Sequence, residues 1–170
     1  MVTWILTLML ALRLTEPGPE VPWSDTYEQT AQGIARAAHE HPLPVTDGEQ
    51  FTAALLTVQA WQESRFKPDE VHDHGAGHGE WGVHAETARG ITDCSAVDME
   101  TPAKGARCAL ELMHASFRIC SKRPLAERLG WFAWGATGCD HRLELSRHRL
   151  GMVARLMREN PMPESLVRDP

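Results

Sequence analysis

Gly48-Glu49-Gln50-Phe51-Thr52-Ala53-Ala54-Leu55-Leu56-Thr57-Val58-Gln59-Ala60-Trp61-Gln62-Glu63-Ser64 is the stretch that decides the fold. Its apolar residues leave only a narrow polar strip around a helix. A helix apolar over most of its circumference is a central, buried one. Asp47 stands where an N-cap belongs. At about 100° per residue, Phe51, Ala54, Leu55, Val58 and Trp61 share one side. Glu63 points elsewhere, between the azimuths of Gln59 and Leu56, at the C-terminal end. Burial and the helix C-terminal dipole both disfavour a carboxylate's charge there. A carboxylic acid kept protonated near neutral pH is what a general acid needs.

The pattern outward from this helix is also helical. On the N-terminal side, Asp25 with Glu28 reads as a capping-box variant. Tyr27, Ala31, Ile34 and Ala38 follow at helical spacing, and Pro42 and Pro44 end that helix. On the C-terminal side, Arg65 to about Glu100 is rich in Gly and His and has no helical period. It reads as a long ordered loop with short strands, and such loops are usually functional. Thr101 before Pro102 starts a helix through Ala106, Leu110, Met113 and Phe117 to Cys120. Pro124 opens a short apolar helix through Leu125, Leu129 and Phe132 to near Gly135. The last helix spans about Asp140 to Glu159, with Leu143, Leu150, Val153 and Met157 on its apolar side. Period-2 alternation of β-branched residues is nearly absent. The expectation is a mainly α single domain over residues 24–160, carrying a long Gly/His-rich loop, with residues 161–170 as a tail.

Residues 1–23 are expected to stand apart. Val2 to Leu12 is apolar apart from Thr3 and Thr7, short for a bilayer span, and of the length of a signal-peptide core. Glu16-Pro17-Gly18-Pro19-Glu20 reads as a linker. The segment is therefore expected to be an export signal or membrane anchor, with a short packed helix as the alternative.

Composition narrows the function classes. The chain has 170 residues, 42% hydrophobic and 24% charged, a globular balance that excludes disorder, collagen and coiled coil. No apolar run reaches the roughly 18 residues of a membrane helix. A net charge of −6 argues against nucleic acid as the partner. Residues 1–100 hold 16 Asp/Glu against 5 Lys/Arg, whereas residues 101–160 hold 11 Lys/Arg against 5 Asp/Glu. An acidic and a basic face are one reading of that split. Arg142, Arg147, Arg149, Arg155 and Arg158 of the last helix are then expected on the basic face.

Glu63-Ser64-Arg65-Phe66-Lys67-Pro68 is followed by Asp73-His74-Gly75-Ala76-Gly77-His78-Gly79-Glu80-Trp81-Gly82-Val83-His84. This resembles the signature of goose-type lysozymes and soluble-type lytic transglycosylases. In that superfamily a helix ends in Glu-Ser, often followed by x-Phe-x-Pro, and a Gly-rich loop closes on Gly-Leu-x-Gln. Asp73, Gly75, Gly77 and Gly79 match the goose-type Asp-x-Gly-x-Gly-x-Gly run. Pro102 to Met113 resembles the superfamily's next helix. Leu129 to Gly135 sits where relatives carry an aromatic-Asn-x-Gly motif. The resemblance covers about Asp25 to Leu156. Gly82 stands at the family's Gln position, Glu80 at its Leu, Phe132 at the Tyr that often bonds the catalytic Glu, and Ala133 at the neighbouring Asn.

The resemblance implies a lysozyme-like domain that cleaves the β-1,4 bond between N-acetylmuramic acid and N-acetylglucosamine in peptidoglycan. Glu63 falls on the catalytic acid, and Ser64 on its usual neighbour. Phe66 and Pro68 fall on packing positions. Asp73 matches an acid thought to position water. Glu80 is the other acid of the loop able to support a water or a cationic transition state. No metal or organic cofactor is needed. The implied setting is periplasmic or extracellular, or a phage product acting on the wall. The changes at Gly82 and Phe132 keep a second expectation open, a non-catalytic module that binds glycan or a partner. His72, His74, His78 and His84 fall within 13 positions, and a metal site there is a third. Trp81, Trp131 and Trp134 are candidate sugar-stacking rings, and Ser64, Glu80 and His84 are candidate substrate-binding side chains in a cleft beside them.

Cys108 and Cys120 are twelve residues apart on one predicted helix, about 18 Å at the helical rise. Disulfide partners need Cα atoms within about 7 Å. Two sets remain: Cys94–Cys108 with Cys120–Cys139, or Cys94–Cys120 with Cys108–Cys139. Either suits an exported protein.

Overall fold

A computed structural model describes residues 1–16, 26–134, 138–140 and 143–163, without the side chains of His72, Asp73, Ala133 and Trp134. Eight α-helices occur among the described residues: α1 (Val2–Thr15), α2 (Thr26–Glu40), α3 (Gly48–Ser64), α4 (Ala85–Ala88), α5 (Ala96–Met99), α6 (Pro102–Ile119), α7 (Gly130–Trp134) and α8 (Leu143–Glu159). The mainly α expectation is met.

The centre is α3. Its side chains from Thr52 through Trp61 are all buried, as the all-round apolar pattern requires. Asp47 does occupy its N-cap, but in the left-handed region (φ 53°), and its side chain makes no capping bond. Helices α1, α2, α6 and α8 surround α3. Helix α2 buries Tyr27, Ala31, Ile34 and Ala38, the stripe read from its spacing. Asp25 and the Pro17–Glu20 stretch lie outside the described residues. Helix α6 begins with Pro102 at its first turn and ends at Ile119, with Cys120 as C-cap.

Helix α1 enters the core. Trp4, Ile5, Leu8, Met9 and Leu12 are buried. The Trp4 indole N–H donates to the Asn160 carbonyl at 2.7 Å, and Arg155 of α8 pairs with Glu16 at the end of α1. The sequence reading set residues 1–23 apart from the domain. In the fold, the apolar run of α1 is covered by α2 and α3, the packing of the alternative named for this segment. No helix among the described residues is long and apolar enough to cross a membrane.

The Gly/His-rich segment is ordered by three two-residue strands, β1 (Val71–His72), β2 (Gly77–His78) and β3 (Val83–His84). They pair antiparallel in the order β1-β2-β3, with Val71 opposite His78 and His78 opposite Val83. The single short helix expected after Pro124 is a 3₁₀ turn, Leu125–Glu127, followed by α7.

Two disulfides join Cys94 to Cys108 and Cys120 to Cys139, with Cα separations of 6.1 and 5.6 Å. This selects the first of the two sets left open. Ser95 and Asp98 form a capping box at the start of α5, which fixes the chain just after Cys94 beside α6. Two disulfides point to an oxidising, non-cytoplasmic compartment.

Candidate functional site

Helix α3 stops at Ser64 because Arg65 and Phe66 both take positive φ, 58° and 64°. The Arg65 N–H reaches the Trp61 carbonyl at 3.2 Å, and the Phe66 N–H reaches that of Ala60 at 3.4 Å. This is the reversal by which a helix end satisfies its last carbonyls. The strain of two left-handed side-chain-bearing residues is held by packing. Phe66 is buried, with ring centroids 5.5 Å from both Tyr27 and Trp61. The Arg65 guanidinium lies 4.3 Å over the Trp61 ring, a cation–π contact.

Glu63 therefore stands on the last turn of a buried helix, with its side chain 25% exposed. Its Oε1 accepts from Gln59 Nε2 at 3.0 Å and from Arg149 Nη2 of α8. The Arg149 side chain is only 6% exposed. Burial pulls its proton affinity down, and the charge of Glu63 opposes that. Two polar atoms of these supporting side chains, Gln59 Oε1 and Arg149 Nε, are buried with no partner among the described residues.

The Gly-rich loop closes on the same carboxyl. Gly82 has φ +58°, and a Cβ built there lies 3.0 Å from Glu63 Oε2. Position 82 thus adjoins Glu63, and glycine leaves the acid's second oxygen uncovered on that side. At Gly79 (φ +72°) a Cβ would collide with the Met99 carbonyl.

Ser64 ties helix to loop. It is buried, and its Oγ lies 3.1 Å from the Ala60 carbonyl and 3.0 Å from that of Glu80. The same oxygen accepts the Lys67 N–H at 3.1 Å. These contacts join the end of α3 to the loop.

Glu80 turns inward, contrary to the expectation that it faces a cleft. It is fully buried, with Oε1 hydrogen-bonded to Thr30 Oγ1 of α2 at 2.5 Å. Desolvation pushes its carboxyl up to about 7, against the bond from Thr30. Trp81 is buried as well. Its indole N–H donates to the Leu56 carbonyl at 2.9 Å, and its ring lies against Gly105. An indole N–H reaching into α3 makes Trp81 a core residue, not a stacking platform. Trp131 is buried too. His84 is half-buried on β3, opposite Gly77. The side chains of Asp73 and Trp134 lie outside the described residues.

Among the described residues no three His, Cys, Asp or Glu side chains converge as a metal-binding group. His78 Nδ1 instead meets Glu100 at 3.3 Å. Of the five arginines of the last helix, Arg142 lies outside the described residues and the other four have partners within the chain. Arg147 pairs with Glu127, Arg155 with Glu16 and Arg158 with Glu159, and Arg149 is inside.

Of the residues first proposed, the structure brings together Glu63, Ser64 and the loop at Gly82. Sequence reasoning missed Gln59, Arg149 and Thr30 as partners. A signal for Arg149 existed. It falls on the buried stripe of α8 with Ser146, Leu150, Val153 and Leu156, and a charge on such a stripe must find a partner.

Compared with protein-family models, with curated proteins and with solved structures, the chain finds no match.

Proposed function

We propose that the chain is a lysozyme-like enzyme that cleaves the muramic acid–glucosamine β-1,4 bond of peptidoglycan, with Glu63 as its acid. One observation carries this reading. A partly exposed carboxyl ends a buried helix, and a Gly-rich loop closes beside its free oxygen at Gly82. In the reaction, the Glu63 carboxyl gives its proton to the bridging oxygen as the bond from that oxygen to muramoyl C1 breaks. The glucosamine then leaves with a 4-hydroxyl. Water completes a hydrolysis at C1, with Asp73 as its proposed holder. Alternatively the muramoyl 6-hydroxyl attacks C1, Glu63 takes back its proton, and an anhydro ring forms. The disulfides agree with action in the periplasm or outside the cell.

Purified protein incubated with peptidoglycan sacculi is expected to release soluble fragments. Their masses distinguish reducing from anhydro ends. Glu63→Gln is expected to lower the rate about 10²- to 10⁴-fold, the usual contribution of a general acid. Wild-type turnover by that variant disproves the assignment.

The hold of Arg149 on Glu63 Oε1 favours a second reading, a glycan-binding module that does not cut. Retention of the wild-type chain on sacculi without any soluble product supports that reading over the first.

A further inference from the structure

Among the described residues, Glu80 is the loop acid carried wholly into the core, and the proposed reaction does not use it. Its surroundings set where its proton sits. Thr30 Oγ1 lies 2.9 Å from the Thr26 carbonyl and 2.5 Å from Glu80 Oε1. A hydroxyl has one hydrogen to donate, and a backbone carbonyl can only accept. When Thr30 donates back to Thr26, as helical threonines do, the short contact to Glu80 needs its hydrogen from Glu80. Glu80 Oε2 is buried with no partner among the described residues. An ionised carboxylate there would be a buried charge with one oxygen unmatched, which is costly.

Tyr27 of α2 feels the Glu80 charge, and Arg13 of α1 lies over the Tyr27 ring at 5.5 Å. On the α3 side the Ser64 hydroxyl meets the Glu80 backbone, and the Glu63–Arg149 pair lies beyond it at Gly82.

We propose that Glu80 is a proton-operated clasp: as a neutral acid it donates to Thr30 and locks the Gly-rich loop onto α2, and loss of its proton loosens the loop from Ser64 to Gly82. Glu80 is thus a positioning residue for the surroundings of Glu63. The proposal needs no glycan cleavage and is tested on the fold itself, so its failure and that of the enzymatic reading are separable.

The direction follows from linkage. The folded chain holds this proton up to about 7, whereas an ordinary carboxyl releases it near 4.5. The contribution to stability is full below the ordinary value. It falls as pH rises between the two, and is gone above the folded value.

The test is denaturant unfolding of the wild-type chain and Glu80→Gln from about pH 5 to about pH 8. The wild type is expected to lose on the order of 50-fold in its folding constant relative to the variant over that range. The variant keeps a neutral donor and lacks that slope. Amide exchange at Gly79–Val83 is expected to quicken in the wild type with the same midpoint. If Glu80→Gln does not fold, carbon NMR of the wild-type glutamate carboxyls decides. One carboxyl titrating far above the rest supports the clasp. A wild type whose glutamates all titrate in the ordinary range overturns it, as does a variant with the wild-type slope or loop exchange that ignores pH.

Discussion

Glu63 and Glu80 are seventeen residues apart, and the fold ties their segments together through Ser64 while giving the two carboxyls different electrostatic settings. Glu63 keeps a quarter of its side chain in solvent and has a buried guanidinium and a carboxamide on one oxygen. Glu80 has no solvent, one hydroxyl, and an oxygen with no partner among the described residues. The same side chain thus meets a buried guanidinium in the first place and a hydroxyl in a dry setting in the second. What a carboxyl can do follows from which donors reach it and from how much water does.

Three substitutions bear on this contrast, beginning with the largest effect. Arg149→Met removes a buried cation and leaves Glu63 without its charged partner, so it is expected to lower stability by about 3 kcal/mol. Denaturant midpoints measure this, and the double change with Glu63→Gln should recover part of the loss. If Arg149→Met is neutral, the pair is not what separates the two sites. Ser64→Ala breaks the tie between them, leaving the Lys67 N–H and the Glu80 carbonyl short of a partner. A loss of about 2 kcal/mol is expected, together with faster exchange in the Gly-rich loop. An unchanged loop would mean that Gly79 and Trp81 hold it alone. Gly82→Ala has the smallest effect, about 1 kcal/mol for a side chain at positive φ. Because its Cβ presses on Glu63 Oε2, it is expected to reduce glycan cleavage by more than its stability cost explains. Activity measured beside thermal midpoints checks that proportion.

Much of this arrangement was legible in the chain. The all-round apolar pattern of residues 51–61 located the central helix, and the change of composition at Arg65 located the loop that closes on it. Thr101-Pro102 marked the start of α6. The orientation of Glu80 and Trp81 was not legible. Both stand in a Gly-rich run with no helical or strand period, so nothing local says which way a side chain turns. Trp81 turns inward because Gly105 of α6 leaves a slot for its ring and Leu56 offers a carbonyl to its N–H. The apolar run of α1 was ambiguous for another reason. A signal core and a packed helix need the same residues, so the local pattern serves both readings.

Periodicity, caps and glycine spacing act over a few residues, so the sequence by itself determined the helical class, the end of α3 at Glu63-Ser64 and the impossibility of a Cys108–Cys120 bridge. Which of the two remaining disulfide sets forms, which cation meets Glu63 across 86 residues, and whether Glu80 meets water or Thr30 were decided only by tertiary structure. Each of those depends on how distant helices pack against one another, and no local pattern contains that distance.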